Sequence, residues 1–201
     1  MALKRLMDLC AAAGGLAVLS PFLLVLAALI KLTSPGPVVF KQPRPGKGAK
    51  IFDIYKFRTM REAKDKRGRP LPDGQRMTGV GNFMRKLSLD EIPELWNVLK
   101  GDMSLIGPRP LLVQYLDRYS PEEARRHETK PGITGWAQVN GRNAITWEQK
   151  FAYDIWYVDH WSLRLDIKIL FLTVNKVLRS EGISQPGHAT MEEFQGHRRE
   201  P

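Results

Sequence analysis

The stretch "LCAAAGGLAVLSPFLLVLAALI", Leu9–Ile30, places this chain at a membrane, because Ser20 is its one polar side chain. At ~1.5 Å of rise per residue, a helix of this length just crosses a bilayer core of ~30 Å. No small-x-small site follows it, which disfavours a cleaved signal peptide. No other run approaches the ~18 apolar residues needed to span, so a protein with several membrane spans is excluded.

Two arrangements of this segment fit the sequence. Ser20-Pro21 lies in the middle, where proline removes a backbone hydrogen bond and the serine hydroxyl can bind a freed carbonyl. Basic residues flank both ends, Lys4 and Arg5 before it and Lys31 and others after it, and the positive-inside rule would keep both ends in the cytosol. A re-entrant helix bent at Ser20-Pro21 meets both conditions, and a straight single-pass anchor is the alternative.

Composition restricts the class of partner. The chain has 201 residues, with Lys+Arg 31 against Asp+Glu 21 and a formal net charge of +10. This excess favours anionic partners such as phosphorylated substrates, phospholipid head groups or nucleic acid. The single cysteine, Cys10, excludes an internal disulfide and a cysteine-based zinc site. Walker A and G-x-G-x-x-G sequences are both missing.

The remainder reads as an α+β domain that is mainly helical. Short strands are predicted at Val38–Phe40 and Ile51–Tyr55, around a Pro/Gly-rich turn. A polar surface loop follows at Arg61–Gly79, and Lys130–Asn143 is irregular and punctuated by glycine. Helices are predicted over three segments: Met84–Leu99, Trp147–Trp161 and Leu163–Arg179.

The last two predicted helices carry features that suit a membrane surface. Trp and Tyr residues are concentrated between Trp136 and Trp161, where interfacial anchoring and core packing are equally good explanations. On the following helix a basic stripe runs along one side and apolar residues supply the other: Arg164, Lys168, Asn175 and Arg179 against Leu165, Ile169 and Leu172. This pattern favours an amphipathic helix lying on anionic lipid.

Two adjacent acids stand out in this basic chain, in "LSLDEIPELWNVLKGDMSLIGPRP" from Leu87 to Pro110. Ser88 with Glu91 fits a capping box, and acids in a first turn suit the helix dipole. Pro93 would lie too deep if Ser88 were the cap, and would fall in the tolerated first turn if Asp90 were the cap. A capping role and a chemical role for Asp90 and Glu91 therefore both stay open at this point.

Four motifs in order resemble the bacterial initiating sugar transferases, the monotopic polyprenol-phosphate phosphoglycosyl transferases. They are "YKFRTM" from Tyr55, "RKLSLDEIPELWNVLKGDMSLIGPRP" from Arg85, "KPGITGWAQVNGRN" from Lys130 and "YDIWYVDHWSLRLDIKIL" from Tyr153. The resemblance runs from the apolar start to about Gly196. It implies a re-entrant membrane helix over residues 1–32, broken at Ser20-Pro21, and a cytosolic membrane-associated catalytic domain over residues 33–201.

The resemblance also implies a chemistry. A UDP-sugar would give its sugar 1-phosphate to undecaprenyl phosphate, with release of UMP, through an aspartyl phospho-sugar on Asp90. Glu91 would hold a Mg²⁺ ion, which needs only one or two protein carboxylates. Phosphate would be bound by Arg109, which flanking prolines pre-position, and by Arg85, Arg142 and Lys56, with Arg58 also a candidate.

Several further expectations come with the family. The carboxyl-terminal "GISQPGHATMEEFQG" (Gly182 onwards) favours members that use UDP-N,N′-diacetylbacillosamine, with another UDP-HexNAc or hexose as the alternative. The product would feed glycoprotein or polysaccharide synthesis at the bacterial cytoplasmic membrane, among phospholipid, and a homodimer is compatible with apolar contacts there. Nucleic acid is not expected, since no nucleic-acid-binding motif is present. The rival of another class is a membrane-tethered protein that binds anionic lipid or nucleic acid.

Overall fold

The computed structural model describes residues 2–141, 144–179 and 193–196. It is mainly helical with two small sheets, which confirms the α+β prediction. The helices are α1 (Ala2–Thr33), α2 (Asp73–Arg76), α3 (Gly79–Lys86), α4 (Glu94–Lys100), α5 (Pro121–Ala124), α6 (Trp136–Val139), α7 (Trp147–Asp159) and α8 (Leu163–Arg179). The strands are β1 (Val39–Pro45), β2 (Ile51–Phe57), β3 (Ser104–Ile106) and β4 (Gly132–Thr134).

Helix α1 is long and apolar enough to cross a membrane. It continues through Pro21, and the Ser20 hydroxyl donates a hydrogen bond of 2.8 Å to the Ala17 carbonyl. Its middle is largely exposed, with Val18 78 % and Leu24 72 % accessible. The body of the protein therefore covers this apolar stretch only in part: Ala12 is fully buried, whereas Val18 and Leu24 are exposed.

The amino-terminal end of α1 is fixed to the body by a buried ion pair. Lys4 Nζ lies 2.6 Å from Asp166 Oδ2 on α8 and donates to the Ile106 carbonyl at 3.0 Å. Asp166 also accepts hydrogen bonds from the Tyr157 hydroxyl and the Trp161 indole N–H, so the buried carboxylate is well satisfied. Counting Lys4 as a membrane-flanking charge was therefore wrong, because Asp166 neutralises it inside the protein.

The other end of α1 packs on the same body. Leu26 and Ile30 are 2 % exposed and join a hydrophobic cluster with Phe57 of β2 and Met84 of α3. Both ends of the helix are thus held by one domain, while much of the segment between them, including Val18 and Leu24, is exposed.

Strands β1 and β2 form the predicted hairpin, antiparallel with Val39 opposite Phe57 and Pro45 opposite Ile51. The side chain of Asn97 on α4 attaches β2 to the helices, since it accepts from Tyr55 N and donates to the Asp53 carbonyl. The hairpin thereby holds Lys56 at a fixed place beside the start of α4.

The predicted helix over Met84–Leu99 is wrong as one element. It is broken into α3, a 3₁₀ turn at Leu89–Glu91, and α4. Ser88 adopts a left-handed backbone conformation (φ 55°), which ends helical geometry, and Pro93 lies directly before α4. The break turns Asp90 and Glu91 out of a regular helix and into a tight corner.

The short parallel pair β3 and β4 passes through the centre of the core, beside Val98, Met103 and Ile169. Here Gly107 and Gly132 approach so closely that a Cβ on Gly132 would lie 2.1 Å from Gly107 N. Only glycine fits such a backbone contact. This contact fixes the start of the Pro108-Arg109-Pro110 segment, which leaves β3 directly.

Helix α8 has the predicted bounds, but its exposed apolar side is not the predicted one. Leu165 and Ile169 are buried in the core, whereas a second apolar face is open to solvent: Ile167 44 %, Leu170 42 %, Phe171 73 % and Val174 54 % exposed. The spacing i, i+3, i+4, i+7 puts these four on one side of the helix. Lys168 of the basic stripe lies 5.3 Å from the ring centre of Trp136.

The aromatic residues near α7 divide between the core and the surface, which confirms core packing for some of them and leaves interfacial anchoring a prediction. Tyr157 is 1 % exposed and belongs to the core, whereas Trp156 stacks on Trp136 and is 39 % exposed. A separate aromatic cluster of Tyr115 and Phe151 receives Phe194, the buried residue of the described carboxyl-terminal segment.

Candidate active site

The two adjacent acids lie in the 3₁₀ turn that joins α3 to α4. The capping-box explanation is wrong: Ser88 makes no capping hydrogen bond with its side chain, and the Glu91 carboxylate points to basic residues instead. The expected position at a helix start also needs correction. α4 begins at Glu94, beyond Pro93, so Asp90 stands in its own turn before a helix of 7 residues.

Glu91 is held by two cations from distant parts of the chain. Arg109 donates through Nη1 to Oε2 at 3.3 Å and through Nη2 to Oε1, and Lys56 donates to Oε1 at 3.0 Å. Burial alone would raise the pKa of Glu91, but the charges and hydrogen bonds of Arg109 and Lys56 outweigh it and hold the pKa far below its usual range. Glu91 is therefore ionised at every physiological pH.

The pKa of Asp90 is shifted in the opposite direction, above its usual value. Burial and the neighbouring charge of Glu91 raise its pKa, against the opposing charges of Lys56, Arg85 and Arg109. Two neighbouring carboxyls whose environments push their pKa values apart are suited to different chemical roles. Here Glu91 has the properties of a fixed anion and Asp90 those of a more basic carboxylate.

A third acid, Glu94, completes the cluster from the first residue of α4. It is 1 % exposed, and its Oε1 lies 3.0 Å from Lys56 Nζ, so Lys56 stands between two carboxylates. Burial raises the pKa of Glu94 to about 7, in part opposed by Lys56 and assisted by Glu91. This group changes charge near neutral pH.

The stability of the protein should therefore depend on the ionisation of Glu94. A carboxyl whose pKa rises from 4.5 to about 7 on folding binds its proton more tightly in the folded chain. Its contribution is then lost as pH rises from about 5 to about 8. We expect Glu94→Gln to unfold at an increasingly higher temperature than wild type over this range.

The measurement is thermal unfolding of both proteins at several pH values in one detergent. Glu122→Gln is the matched control, because the Glu122 side chain is 64 % exposed. The difference in unfolding temperature between Glu122→Gln and wild type should stay constant with pH. A Glu94→Gln difference that is also constant would contradict the assignment.

The acids form part of the wall of a cavity of about 530 Å³. Its lining is strongly basic: Arg44, Lys56, Arg58, Arg61, Arg76, Arg85, Arg109 and Lys150. Such a surface suits a ligand with several phosphate oxygens, which guanidinium groups bind in pairs. The cavity therefore has the charge of a diphosphate site with a carboxylate on its wall.

The structure brings together most of the residues predicted from sequence. Arg109, Arg85 and Lys56 line the cavity with Asp90 and Glu91, as does Arg58. Arg85 is oriented by a hydrogen bond of 3.2 Å from Nε to Thr59 Oγ1. Arg142 lies outside the described residues.

Several lining residues were missed by the sequence reasoning, among them Arg44, Lys150 and Gln138. Burial and the nearby Arg109 lower the pKa of Arg44 to about 10, and burial lowers that of Lys150 to about 8. Gln138 lies on α6 with both side-chain polar atoms buried and without a hydrogen-bond partner among the described residues. Its place in "GWAQVNG" was a usable signal, whereas Arg44 and Lys150 reach the cavity only through the tertiary fold.

The Pro108-Arg109-Pro110 segment is supported from behind by a second buried ion pair. Arg126 pairs with Asp154 at 2.6 Å, both nearly inaccessible, and donates to the Arg109 carbonyl at 2.8 Å. This contact restrains the backbone of Arg109, and the hydrogen bonds to Glu91 orient its guanidinium.

Comparison with known proteins supplies an independent reference for this site. The family model described as "Bacterial sugar transferase" matches residues 1–180. The uncharacterized sugar transferase EpsL of Bacillus subtilis (strain 168) is 59 % identical to this chain, over 98 % of the chain and 97 % of that protein.

Two characterised relatives are more distant and longer. The UDP-N-acetylgalactosamine-undecaprenyl-phosphate N-acetylgalactosaminephosphotransferase of Aeromonas hydrophila is 46 % identical over 90 % of the chain and 44 % of that protein. The UDP-glucose:undecaprenyl-phosphate glucose-1-phosphate transferase of Escherichia coli (strain K12) is 42 % identical over 87 % of the chain and 40 % of that protein. The chain thus spans less than half the length of these two relatives.

Proposed function

The chain belongs to the bacterial sugar transferases, and from this membership we propose that it transfers a sugar 1-phosphate from a UDP-sugar to undecaprenyl phosphate. UMP is the other product. The observation that carries the proposal is the arginine-rich cavity with Asp90 on its wall beside the fixed anion Glu91. A diphosphate donor needs such a surface, and a membrane-tethered binding protein has no need of a basic carboxylate there.

In the proposed mechanism an Asp90 carboxylate oxygen attacks the phosphorus that bears the sugar. The new oxygen–phosphorus bond forms as the bond to UMP breaks, which leaves an aspartyl phospho-sugar. An oxygen of undecaprenyl phosphate then attacks the same phosphorus, and Asp90 leaves as a carboxylate. The raised pKa of Asp90 supports this role, because a more basic carboxylate is a better nucleophile once ionised.

Arginine and lysine side chains offset the repulsion between Asp90 and the diphosphate. An anionic Asp90 must approach a diphosphate of like charge, and Arg109 and Arg85, which line the same cavity, lower that barrier. The hydrogen bonds to Glu91 orient Arg109, and Arg126 restrains its backbone. Lys56, which already bridges Glu91 and Glu94, adds a further positive charge.

Phosphoryl transfer in this family usually uses a divalent metal, and we assign Mg²⁺ with Glu91 as its protein ligand. A group of three or more His, Cys, Asp or Glu side chains placed for a metal is not found among residues 2–141, 144–179 and 193–196. Mg²⁺ commonly takes one or two carboxylates together with substrate phosphates and water. Glu91 fits this role because it is ionised and lines the cavity. When bound, the ion would neutralise phosphate charge.

Replacing Glu91 with glutamine tests the ligand role. We expect lower turnover and a higher Mg²⁺ concentration at the half-maximal rate, because the amide binds a hard cation more weakly than a carboxylate does. Titration of UMP release with Mg²⁺ measures both. Glu62→Gln is the control, since Glu62 also lines the cavity but has an 81 % exposed side chain. A metal titration unchanged in Glu91→Gln would remove the ligand assignment.

The re-entrant arrangement of α1 belongs to this proposal. Its support is that Lys4 at one end and Ile30 at the other both contact the same body, while Val18 and Leu24 between them are exposed. A helix that crossed the bilayer would place its ends on opposite faces. With both ends on the cytosolic side, residues 33–201 form the catalytic domain, and the open apolar face of α8 rests on phospholipid.

The sugar is the least determined part of the proposal. The two characterised relatives are named for N-acetylgalactosamine and glucose, so UDP-N,N′-diacetylbacillosamine stays a prediction from the carboxyl-terminal sequence. That sequence lies mostly outside the described residues. The homodimer and the destination of the product, glycoprotein or polysaccharide, likewise stay predictions.

The decisive experiment offers the detergent-held protein undecaprenyl phosphate, Mg²⁺ and a panel of UDP-sugars, one at a time. UMP release with one sugar, together with a new lipid-linked sugar diphosphate, would support the proposal and identify the donor. Salt-sensitive nucleic-acid or lipid binding without UMP release for any sugar would favour the rival binding protein.

A further inference from the structure

A second cavity, of about 250 Å³, adjoins the basic one and shares part of its wall. Ser88, Glu91, Arg109 and Gln138 line both cavities. The rest of the smaller cavity is mainly apolar: Leu87, Ile92, Leu95, Ile133, Val139 and Val177, with Thr134, Thr173 and Lys176. We call it the apolar groove. The part of the apolar groove that it shares with the basic cavity is therefore polar, and the remaining lining is mainly apolar and suits a hydrocarbon chain.

The groove is continuous with the membrane helix. Leu95, on its wall, packs so closely on α1 that a Cβ added to Gly15 would lie 3.3 Å from Leu95 Cδ1. Gly15 lies in the apolar segment of α1. The groove lining therefore touches the apolar segment of α1 at Leu95.

The polar end offers donors that the protein itself does not use. The amide of Gln138 is buried with neither Nε2 nor Oε1 hydrogen-bonded among the described residues. An unpaired buried amide is unfavourable unless a ligand pairs with it. Arg109 lies on the same shared wall and has only two of its nitrogens directed at Glu91. A phosphate placed there would accept hydrogen bonds from Gln138 Nε2 and from the N–H groups of Arg109 that are not directed at Glu91.

We propose that the apolar groove binds the acceptor, with the phosphate of a polyprenyl phosphate at Gln138 and Arg109 and its first isoprene units along Leu95, Ile133 and Val177. This assignment rests on the proposed function and adds the position of the second substrate. The nucleotide-sugar has no apolar chain and belongs in the basic cavity. The two phosphates then meet at the shared wall, next to Asp90.

The test blocks the groove with tryptophan at Val177, which is partly buried on α8. Val174→Trp is the matched control: the same substitution on the same helix, three residues earlier, on the open apolar face and outside the groove lining. Native mass spectrometry of the full chain with undecaprenyl phosphate measures binding without any turnover. We expect wild type and Val174→Trp to retain one lipid and Val177→Trp to lose it.

Steady-state kinetics give the second readout. In Val177→Trp the KM for undecaprenyl phosphate should rise at least tenfold, while the KM for the UDP-sugar stays at its wild-type value, which also shows that the variant is folded. Retained lipid with an unchanged acceptor KM, or equal losses in both variants, would overturn the groove assignment. Lipid binding blocked only by Val177→Trp, with no UMP release from wild type, would instead uphold the groove and overturn the proposed function.

Gln138→Leu separates ligand binding from folding. If the amide serves the acceptor, its removal should weaken lipid retention and leave the unfolding temperature unchanged or higher, since the described part of the chain gives the Gln138 side chain no hydrogen bond to lose. A lower unfolding temperature with normal lipid retention would assign Gln138 a structural role and remove it from the groove.

Discussion

Asp90→Asn should lower turnover by roughly 10³-fold or more, the scale on which loss of a catalytic nucleophile is usually felt. An amide oxygen cannot form the acyl-phosphate bond, while the shape of the side chain is kept. Folding should survive, because burial already disfavours the charged form of Asp90 and raises its pKa. The measurement pairs UMP release with the unfolding temperature of the same sample.

Intact mass adds the mechanistic readout. Wild type mixed with Mg²⁺ and its UDP-sugar, without lipid acceptor, should gain the mass of one sugar phosphate, and Asp90→Asn should gain none. Asp117→Asn is the control, an exposed aspartate that does not line either cavity. Near-normal activity in Asp90→Asn would sink the nucleophile assignment. UMP release that needs the acceptor, with no adduct, would favour direct transfer or a short-lived adduct.

Lys4→Met should be the most destabilising of the substitutions considered, by about 3–5 kcal/mol, the cost of leaving a buried charge unpaired. The substitution leaves the fully buried Asp166 without its cationic partner, although the Tyr157 hydroxyl and the Trp161 indole still donate hydrogen bonds to it. Methionine keeps the unbranched shape and most of the length of the Lys4 side chain but loses its charge and its bond to the Ile106 carbonyl. Thermal or denaturant unfolding in detergent measures the loss.

A double replacement, Lys4→Met with Asp166→Leu, should recover much of that stability, because an apolar pair leaves no charge unpaired. Lys31→Met at the other end of α1 is the control, since Lys31 is exposed and makes only a 3.4 Å contact with the Gly36 carbonyl. If the free energy of unfolding of Lys4→Met lies within a few tenths of a kcal/mol of the wild-type value, the buried pair does not anchor α1.

The sequence was most informative where local patterns decide structure. Periodicity alone placed α8 at Leu163–Arg179 and the hairpin strands around their turn, since burial of one face sets the repeat. It was wrong at Met84–Leu99, where Ser88 enters the left-handed region. A serine there carries no sequence signal comparable to a glycine, and the apolar spacing continues on both sides of the break.

In the candidate site, too, residues within local motifs were predicted and residues placed by distant contacts were not. Asp90, Glu91 and Arg109 were predicted because their motifs are long and occur in order. Arg44 and the Lys4–Asp166 pair were not predicted, because their partners lie far away in sequence: 162 positions separate Lys4 from Asp166. Such pairs depend on the tertiary fold, and a single sequence gives no measure of distance between remote residues.

The double attachment of α1 has a mechanical consequence. An ordinary single-span helix adjusts to a thicker or thinner bilayer by tilting, independently of the domain that it carries. Here Lys4 and Ile30 fix both ends of the helix to one body, so α1 and that body must move as a unit. If α1 enters and leaves the bilayer on one side, as proposed, a change of bilayer thickness would change how deeply the whole body is immersed. In that arrangement the distance of Asp90 from the hydrocarbon would depend on bilayer thickness, because α1 and the body that carries Asp90 are joined at both ends of the helix.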